Sequence, residues 1–264
     1  MTIAIIGAGV MGETILAGLL DSGVATSDIV VAEKREARIA ELHECYAVVC
    51  TTIHDAVSQA VTVFLVVKPQ DVTAVLAEIA PVLASQALVI SLAAGITTAR
   101  LEQGLPDHAA VVRVMPNTPA LLKQGMSAVS AGSRCSIEQR DYVVQLMSSV
   151  GKVVVVEESL QDAVTAVSGS GPAYIFYIAE AMSTAAKTLG LDAQTASTLV
   201  LQTIFGAATM LQETGVAPEE LRRQVSSPGG TTVAAINTLD AHGVREAFQA
   251  AMQAAHDRSI ELGQ

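Results

Sequence analysis

The first half of the chain alternates short Val- and Ile-rich runs with stretches of helical periodicity. Runs at 2–6 (TIAII), 28–32 (DIVVA), 47–50 (AVVC), 62–67 (TVFLVV), 87–91 (ALVIS) and 109–114 (AAVVRV) read as strands. Unbroken apolarity over so few residues fits strands buried on both faces. Helical patterns at 10–22, 35–43, 70–83 and 136–149 fall between several of them. That alternation predicts a mostly parallel, doubly wound sheet covered by helices on both sides. The runs GMSAVSAG (125–132) and KVVVV (152–156) read as additional edge strands, which closes an α/β domain over 1–158. The remainder, 159–264, shows no convincing strand and reads as helices of roughly 20 to 30 residues. Two of these, 173–190 and 195–212, are apolar around most of their circumference. Helices of that kind need burial, so the tail is expected to be an all-α domain packed against its own copy.

Composition narrows the function. Of 264 residues 51% are hydrophobic and 16% charged, with a formal net charge of −11. Nucleic-acid binding depends on cations that neutralise phosphates, so this balance argues against it. An anionic ligand has to be held by local geometry. No apolar run reaches the length of a membrane span without Gly, Pro or charge. The start, MTIAIIGAG, has no basic region ahead of it and does not read as a signal peptide. Cys45, Cys50 and Cys135 match neither a disulfide framework nor a zinc spacing, and a reducing, cytoplasmic setting is expected. The five histidines form no metal spacing, so no metal site is expected.

Gly7-Ala8-Gly9-Val10-Met11-Gly12 follows the first strand and opens a helix. In that context the glycines have distinct tasks: Gly7 in the tight turn, Gly9 where backbone meets a pyrophosphate, and Gly12 where helix packs on strand. The second strand ends in Glu33-Lys34-Arg35. A carboxylate there favours a free ribose diol, whereas Lys34 and Arg35 either grip a 2′-phosphate or are simply solvated charges at a helix start. Ligands of open α/β sheets sit beyond the carboxyl ends of the strands. Val67, Lys68 and Pro69 after the fourth run, Ala93, Ala94 and Gly95 after the fifth, and Asn117 with Thr118 after the sixth are therefore expected to line the cofactor groove. In the tail, AVSGSGPAY (166–174) interrupts the first helix and reads as a place where another backbone approaches closely.

SSPGGTT (226–232) is placed between helical stretches. Ser227 suits an N-cap and Pro228 a first helical position, while Gly229 and Gly230 leave bare amides behind them. A helix start with unobstructed N–H groups is an anion site; the other reading is a plain helix start with a flexible joint.

Taken together, GAGVMG, VVKP (66–69), AAG (93–95), MPNTP (115–119), AVSGSGPAY and SSPGGTT resemble the pyrroline-5-carboxylate reductase family from end to end. The resemblance implies a Rossmann domain, a helical domain interlocked with its twofold mate, and reduction of a cyclic imine to L-proline by NADPH or NADH. It also implies that the loop Ser227–Thr232 holds the substrate carboxylate on backbone N–H groups of Gly229, Gly230 and Thr231. Thr232 is then the catalytic hydroxyl, near the ring nitrogen, with a water as the alternative group to serve that nitrogen. Glu33-Lys34-Arg35 departs from the small polar residue common in relatives, and the expectation is that both coenzymes work with NADPH favoured. Ile53 replaces an Asn that some relatives carry near the adenosine and is not a binding candidate. A β-hydroxyacid dehydrogenase is the competing enzyme reading, but no lysine stands in 169–175 to serve it. A non-catalytic NADPH sensor is the competing non-enzyme reading, and it has no use for the anion loop. Partners are expected to be the small substrate and a second copy, with a larger oligomer beyond the dimer left open.

Overall fold

In a computed structural model, which describes residues 2–263, each of the eight apolar runs forms a strand. They are β1 (Ile3–Ile6), β2 (Ile29–Ala32), β3 (Val49–Thr51), β4 (Thr62–Leu65), β5 (Leu88–Ser91), β6 (Ala110–Met115), β7 (Gly125–Ala131) and β8 (Gly151–Val155). The sheet order is β3-β2-β1-β4-β5-β6-β7-β8, parallel throughout except for the antiparallel pair β6–β7. Only β8 of the last two is an edge; β7 lies inside the sheet. The strand β3 begins two residues later than the apolar run, because Ala47 adopts a left-handed conformation (φ 54°) that caps the preceding helix.

Alternate residues of β1, β2, β4, β5 and β6 feed two separate cores. On β1, Ile3 and Ile5 enter one core with Leu16, Phe64 and Ile90, whereas Ala4 and Ile6 enter the other with Leu65, Leu76 and Val89. The period-2 geometry of a strand makes this division unavoidable once helices cover both faces. The covering helices are α1 (Val10–Asp21), α2 (Glu36–Tyr46), α3 (Ile53–Ser58), α4 (Val72–Ile79), α5 (Thr98–Gln103) and α6 (Ile137–Met147). The order reverses at β1, whose neighbours are β2 on one side and β4 on the other. Crevices at such switch points receive dinucleotides.

After β8 come α7 (Gln161–Val164), a π-helical turn (Thr165–Gly169), α8 (Gly171–Thr188), α9 (Ala193–Thr214), α10 (Pro218–Gln224), α11 (Thr231–Ala241) and α12 (Val244–Leu262). These helices are shorter than the periodicity suggests, 22 residues at most, because Gly190, Pro218, the 226–230 loop and Gly243 cut the pattern. The chain separates into two compact units. One runs up to Ser170 and takes in the segment from Ala255; the other is Gly171–Ala254. In the second unit α8 contains no buried residue and α9 only Ala196 and Val200. Phe176, Tyr177, Leu201 and Phe205 are all exposed.

Candidate active site

The turn after β1 is built as the glycine spacing requires. Gly7 has φ +96°, and a Cβ there would stand 2.3 Å from the carbonyl oxygen of Val66. A Cβ on Gly12 would meet the carbonyl oxygen of Gly7 at 2.0 Å and the Ile5 side chain at 3.7 Å. At Gly9 nothing lies within 4 Å. Two glycines thus let the protein pack against itself, and the middle one leaves room for something else. Gly9 is also the N-cap of α1 and offers no side-chain cap; the first hydrogen bond of the helix runs from Glu13 N–H to Gly9 O. Among the described residues the amides of Gly9, Val10, Met11 and Gly12 have no acceptor. Ala8 is buried, Val10 exposed and Met11 half-buried. Open space faced by unpaired N–H groups at a positive dipole end fits a diphosphate.

At the end of β2, Arg35 does not stand free. Its Nε and Nη2 donate to the two carboxylate oxygens of Glu33 at 3.1 and 2.8 Å, and the backbone N–H groups of Lys34 and Arg35 donate to the same carboxylate. The Arg35 hydrogen bonds outweigh the effect of burial and hold the Glu33 carboxyl at about 2. Lys34 is exposed and has no ion-pair partner among the described residues. The folded value lies below the ordinary 4.5, so the clamp's contribution is complete above that pH and is lost as pH falls towards 2. Arg35→Ala is therefore expected to return the Glu33 titration midpoint, followed by carboxyl NMR, towards 4.5.

The remaining groove candidates divide by exposure. Lys68 is exposed at the head of a short 3-10 turn (Pro69–Asp71), with Val67 and Pro69 half-buried beside it. Ala93 packs into the core, and its N–H donates to Ser91 Oγ at 3.3 Å. Gly95 (φ +77°) is buried against the end of α12, where a Cβ would lie 2.8 Å from the nitrogen of Gly263. Only Ala94 of that trio keeps partial exposure. Asn117 is engaged at both ends: Oδ1 accepts from Met126 N–H at 2.8 Å, and Nδ2 donates to Ser168 O at 3.1 Å. Its amide ties the loop after β6 to the π-helical turn. The break expected in AVSGSGPAY takes the form of that turn, closed by Ser170 N–H to Thr165 O at 2.8 Å.

The second anion candidate lies in the helical unit, and its geometry corrects the sequence reading. Ser227 is not the N-cap, nor Pro228 the first helical residue. Ser227–Gly230 forms a β-turn closed by Gly230 N–H to Ser227 O at 2.9 Å, with Gly229 at φ +70°. Pro then Gly with positive φ is the pattern of a type II turn, and that turn places α11 one step later. Gly230 becomes the N-cap (φ −77°, ψ 168°) and Thr231 the first helical residue. Its N–H spent in the turn, Gly230 is not an open donor, whereas the N–H of Gly229 has no acceptor among the described residues; nor do the first amides of α11, those of Thr231, Thr232 and Val233. They precede the first helical bond, Ala234 N–H to Gly230 O at 3.3 Å. The Thr232 side chain is half-buried, with no hydrogen bond among the described residues.

A curated pyrroline-5-carboxylate reductase from Corynebacterium melassecola is 47% identical to this chain, covering 99% of it and 98% of the relative. The chain belongs to the pyrroline-5-carboxylate reductase family. The Pseudomonas aeruginosa pyrroline-5-carboxylate reductase is 44% identical with 99% and 97% covered. A family described as pyrroline-5-carboxylate reductase dimerisation matches residues 158–262, and one described as NADP oxidoreductase, coenzyme F420-dependent, matches residues 2–95. The solved reductase of Coxiella burnetii superposes with a TM-score of 0.92 at 38% identity, covering 100% of this chain and 98% of that one. The Plasmodium falciparum enzyme, solved with NADP bound, gives 0.90 at 25% identity, with the same coverage. As a member of this family the chain is an NAD(P)-dependent oxidoreductase with a Rossmann domain and a helical dimerisation domain. No described helix is long and apolar enough to cross a membrane, and no group of His, Cys, Asp and Glu among the described residues could hold a metal.

Two groups in this reductase escape motif reading. Arg38, on α2, reaches back to the glycine loop. Arg113 lies buried on β6, between the carboxylates of Glu158 and Asp162 at 3.5 Å each. An arginine inside the run AAVVRV was the signal for the second, since a buried cation requires partners.

Proposed function

We propose that the chain reduces Δ1-pyrroline-5-carboxylate to L-proline, the last step of proline synthesis, using a dinucleotide held over Gly7–Gly12 and a carboxylate site at the start of α11. One observation carries this reading: the chain matches the family along its whole length while presenting two bare helix starts, at Gly9 and at Thr231. When bound, the reduced nicotinamide supplies the hydride. The protein's own part is positional. The amides of Gly9, Val10, Met11 and Gly12 receive the diphosphate, while Lys68 and Ala94 line the groove. The amides of Thr231, Thr232 and Val233 hold the substrate carboxylate, supported by the helix dipole. The Thr232 hydroxyl would pass its proton to the ring nitrogen and regain one from solvent water while the adjacent carbon takes the hydride, so the chemistry needs no histidine. Adding pyrroline-5-carboxylate to the protein with NADPH should consume the coenzyme, followed by its absorbance. No consumption with NADPH or NADH would overturn the proposal. Hydroxyacid oxidation lacks support, because 169–175 contains no lysine.

Both coenzymes serve in this reading, with NADPH favoured through Lys34. Because Arg35 is bound to Glu33, Lys34 is the cation of this pair that has no ion-pair partner among the described residues and is open to a 2′-phosphate. Replacing Lys34 and Arg35 by Ala should raise KM for NADPH far more than for NADH. Equal changes would mean that the pair only solvates the start of α2.

The exposed apolar side chains of α8 and α9 are the dimer surface in this reading, since a soluble monomer rarely leaves so much apolar area uncovered. Leu201→Glu with Phe205→Glu should convert the dimer, or a larger oligomer built from it, to monomers in sedimentation. A full-length wild-type protein that sediments as a monomer at micromolar concentration would contradict it. The free thiols Cys45, Cys50 and Cys135 accord with a cytoplasmic enzyme.

A further inference from the structure

The diphosphate loop has a support outside the glycine motif. Arg38 projects from the first turn of α2 and donates from Nε to the carbonyl oxygen of Ala8 at 2.9 Å. Its other nitrogens are held as well, Nη1 by Glu41 at 2.6 Å and Nη2 by Glu13. Glu13 in turn accepts from the Tyr46 hydroxyl at 3.0 Å. The Arg38 side chain is only 14% exposed, so this fork is fixed rather than waving in solvent.

The consequence follows from peptide geometry. In a planar trans peptide the C=O of one residue and the N–H of the next point to opposite sides. The Ala8–Gly9 peptide is trans. A guanidinium that holds the Ala8 carbonyl on one side therefore turns the Gly9 N–H to the other. That N–H has no acceptor among the described residues, and the space around Gly9 is open. Without the anchor this peptide is free to rotate, because glycine tolerates either orientation.

We propose that Arg38 is a positioning residue for the coenzyme: it orients the Ala8–Gly9 peptide so that the Gly9 N–H faces the diphosphate. The Arg38 guanidinium is spent on Ala8, Glu13 and Glu41, so it acts on the diphosphate loop and its effect is expected to be the same for both coenzymes. This separates it from Lys34. A guanidinium is suited to the task because its planar fork holds a carbonyl and two carboxylates at once, which an ammonium cannot reproduce. The inference rests on the reading of Gly7–Gly12 as the diphosphate site.

The test is fluorescence titration of the full-length protein with NADPH and with NADH, alongside steady-state kinetics. Arg38→Met should weaken both coenzymes by a common factor of about 10, the scale of one lost hydrogen bond to a charged group. The kcat at saturating coenzyme should stay near wild type. Arg38→Lys, which keeps a donor and the charge, should fall between the two. Glu13→Gln breaks the ion pair while leaving the Arg38–Ala8 bond, so it should lower Tm without weakening either coenzyme. If Arg38 merely braces α1 against α2, Arg38→Met and Glu13→Gln will lose Tm alike and neither will lose coenzyme affinity; that overturns the proposal. Gly9→Val serves as reference. If it abolishes coenzyme binding while Arg38→Met and Arg38→Lys bind normally, Arg38 has no positioning role. If Gly9→Val binds normally, the diphosphate site itself is misplaced. Should Arg38→Met fail to fold, Arg38→Lys at unchanged affinity is sufficient to reject the inference.

Discussion

Gly230→Val is expected to raise KM for pyrroline-5-carboxylate by about 10-fold or more, the cost of at least one charge-assisted hydrogen bond to a carboxylate. The backbone of Gly230 is extended and would accept valine, so torsional strain is not the reason. The obstacle is Ser227: a Cβ on Gly230 would lie 2.7 Å from its Oγ and 3.0 Å from its carbonyl oxygen. The Oγ can rotate away, but the carbonyl is the acceptor that closes the turn. Valine must therefore open the turn, and the first amides of α11 lose their common direction. Coenzyme binding, measured separately by fluorescence, should not change. Thr232→Ala should act on kcat instead, because a donor to the ring nitrogen matters at the moment of reduction. General acid assistance is typically worth about 100-fold or more, and a water entering the vacated space reduces that to roughly 10-fold. An unchanged KM in Gly230→Val would remove this loop as the carboxylate site and the mechanism with it.

The same loop shows where sequence reading succeeds and where it stops. All eight strands were legible as apolar runs, and β1, β2, β4, β5 and β6 most plainly, because burial on both faces leaves such a run unbroken. The motif SSPGG announced an unobstructed helix start, which the structure contains. Its register was ambiguous, since Pro favours both the first position of a helix and the second position of a turn. The deciding fact is the positive φ of Gly229, which local composition permits but does not impose. Short helices α3 and α5 were missed because six residues carry too little periodicity to register. Helix lengths in the tail were expected at roughly 20 to 30 residues, and α8, α9 and α12 run to 18, 22 and 19.

The site residues follow the same division. Gly7, Gly9 and Gly12 were assigned their tasks from spacing in a strand–turn–helix context; the close neighbours of Gly7 and Gly12 fit theirs, and Gly9 faces open space. Asn117 was legible as a polar residue beyond β6, but not that its amide is spent on Met126 and Ser168. Arg38 was invisible, because its partners Ala8 and Glu13 lie 30 and 25 positions earlier in sequence. Long-range polar contacts of this sort are set by how β1 and β2 pair, and no local pattern encodes them.

Arg113→Met is expected to cost about 2–3 kcal/mol of stability, at or below the low end for breaking a buried ion pair because both carboxylates keep some access to water. Arg113 lies on β6 at 3% exposure, with Nη1 3.5 Å from Glu158 and Nη2 3.5 Å from Asp162. Each carboxylate performs a second task. Glu158 accepts from Thr98 N–H at 2.6 Å and from the Thr98 hydroxyl at 2.5 Å, fastening the start of α5. Asp162 accepts from Ser259 Oγ at 2.6 Å, fastening the last turns of α12 to the sheet unit. One guanidinium thus offsets two anions that join α5, α7 and the chain's final helix at the edge of the cofactor loops. Methionine fills the volume of the stem but leaves both negative charges uncompensated. The desolvated charges, more than the lost attraction, account for the expected cost. Urea unfolding of Arg113→Met, Glu158→Gln and the double variant forms a mutant cycle. Glu158→Gln keeps an acceptor for Thr98 while removing one anion, so in the Arg113→Met background it should restore about half of the loss. If the double variant is as destabilised as the sum of the singles, Arg113 and Glu158 act independently and the shared-charge account of this corner of the fold is wrong.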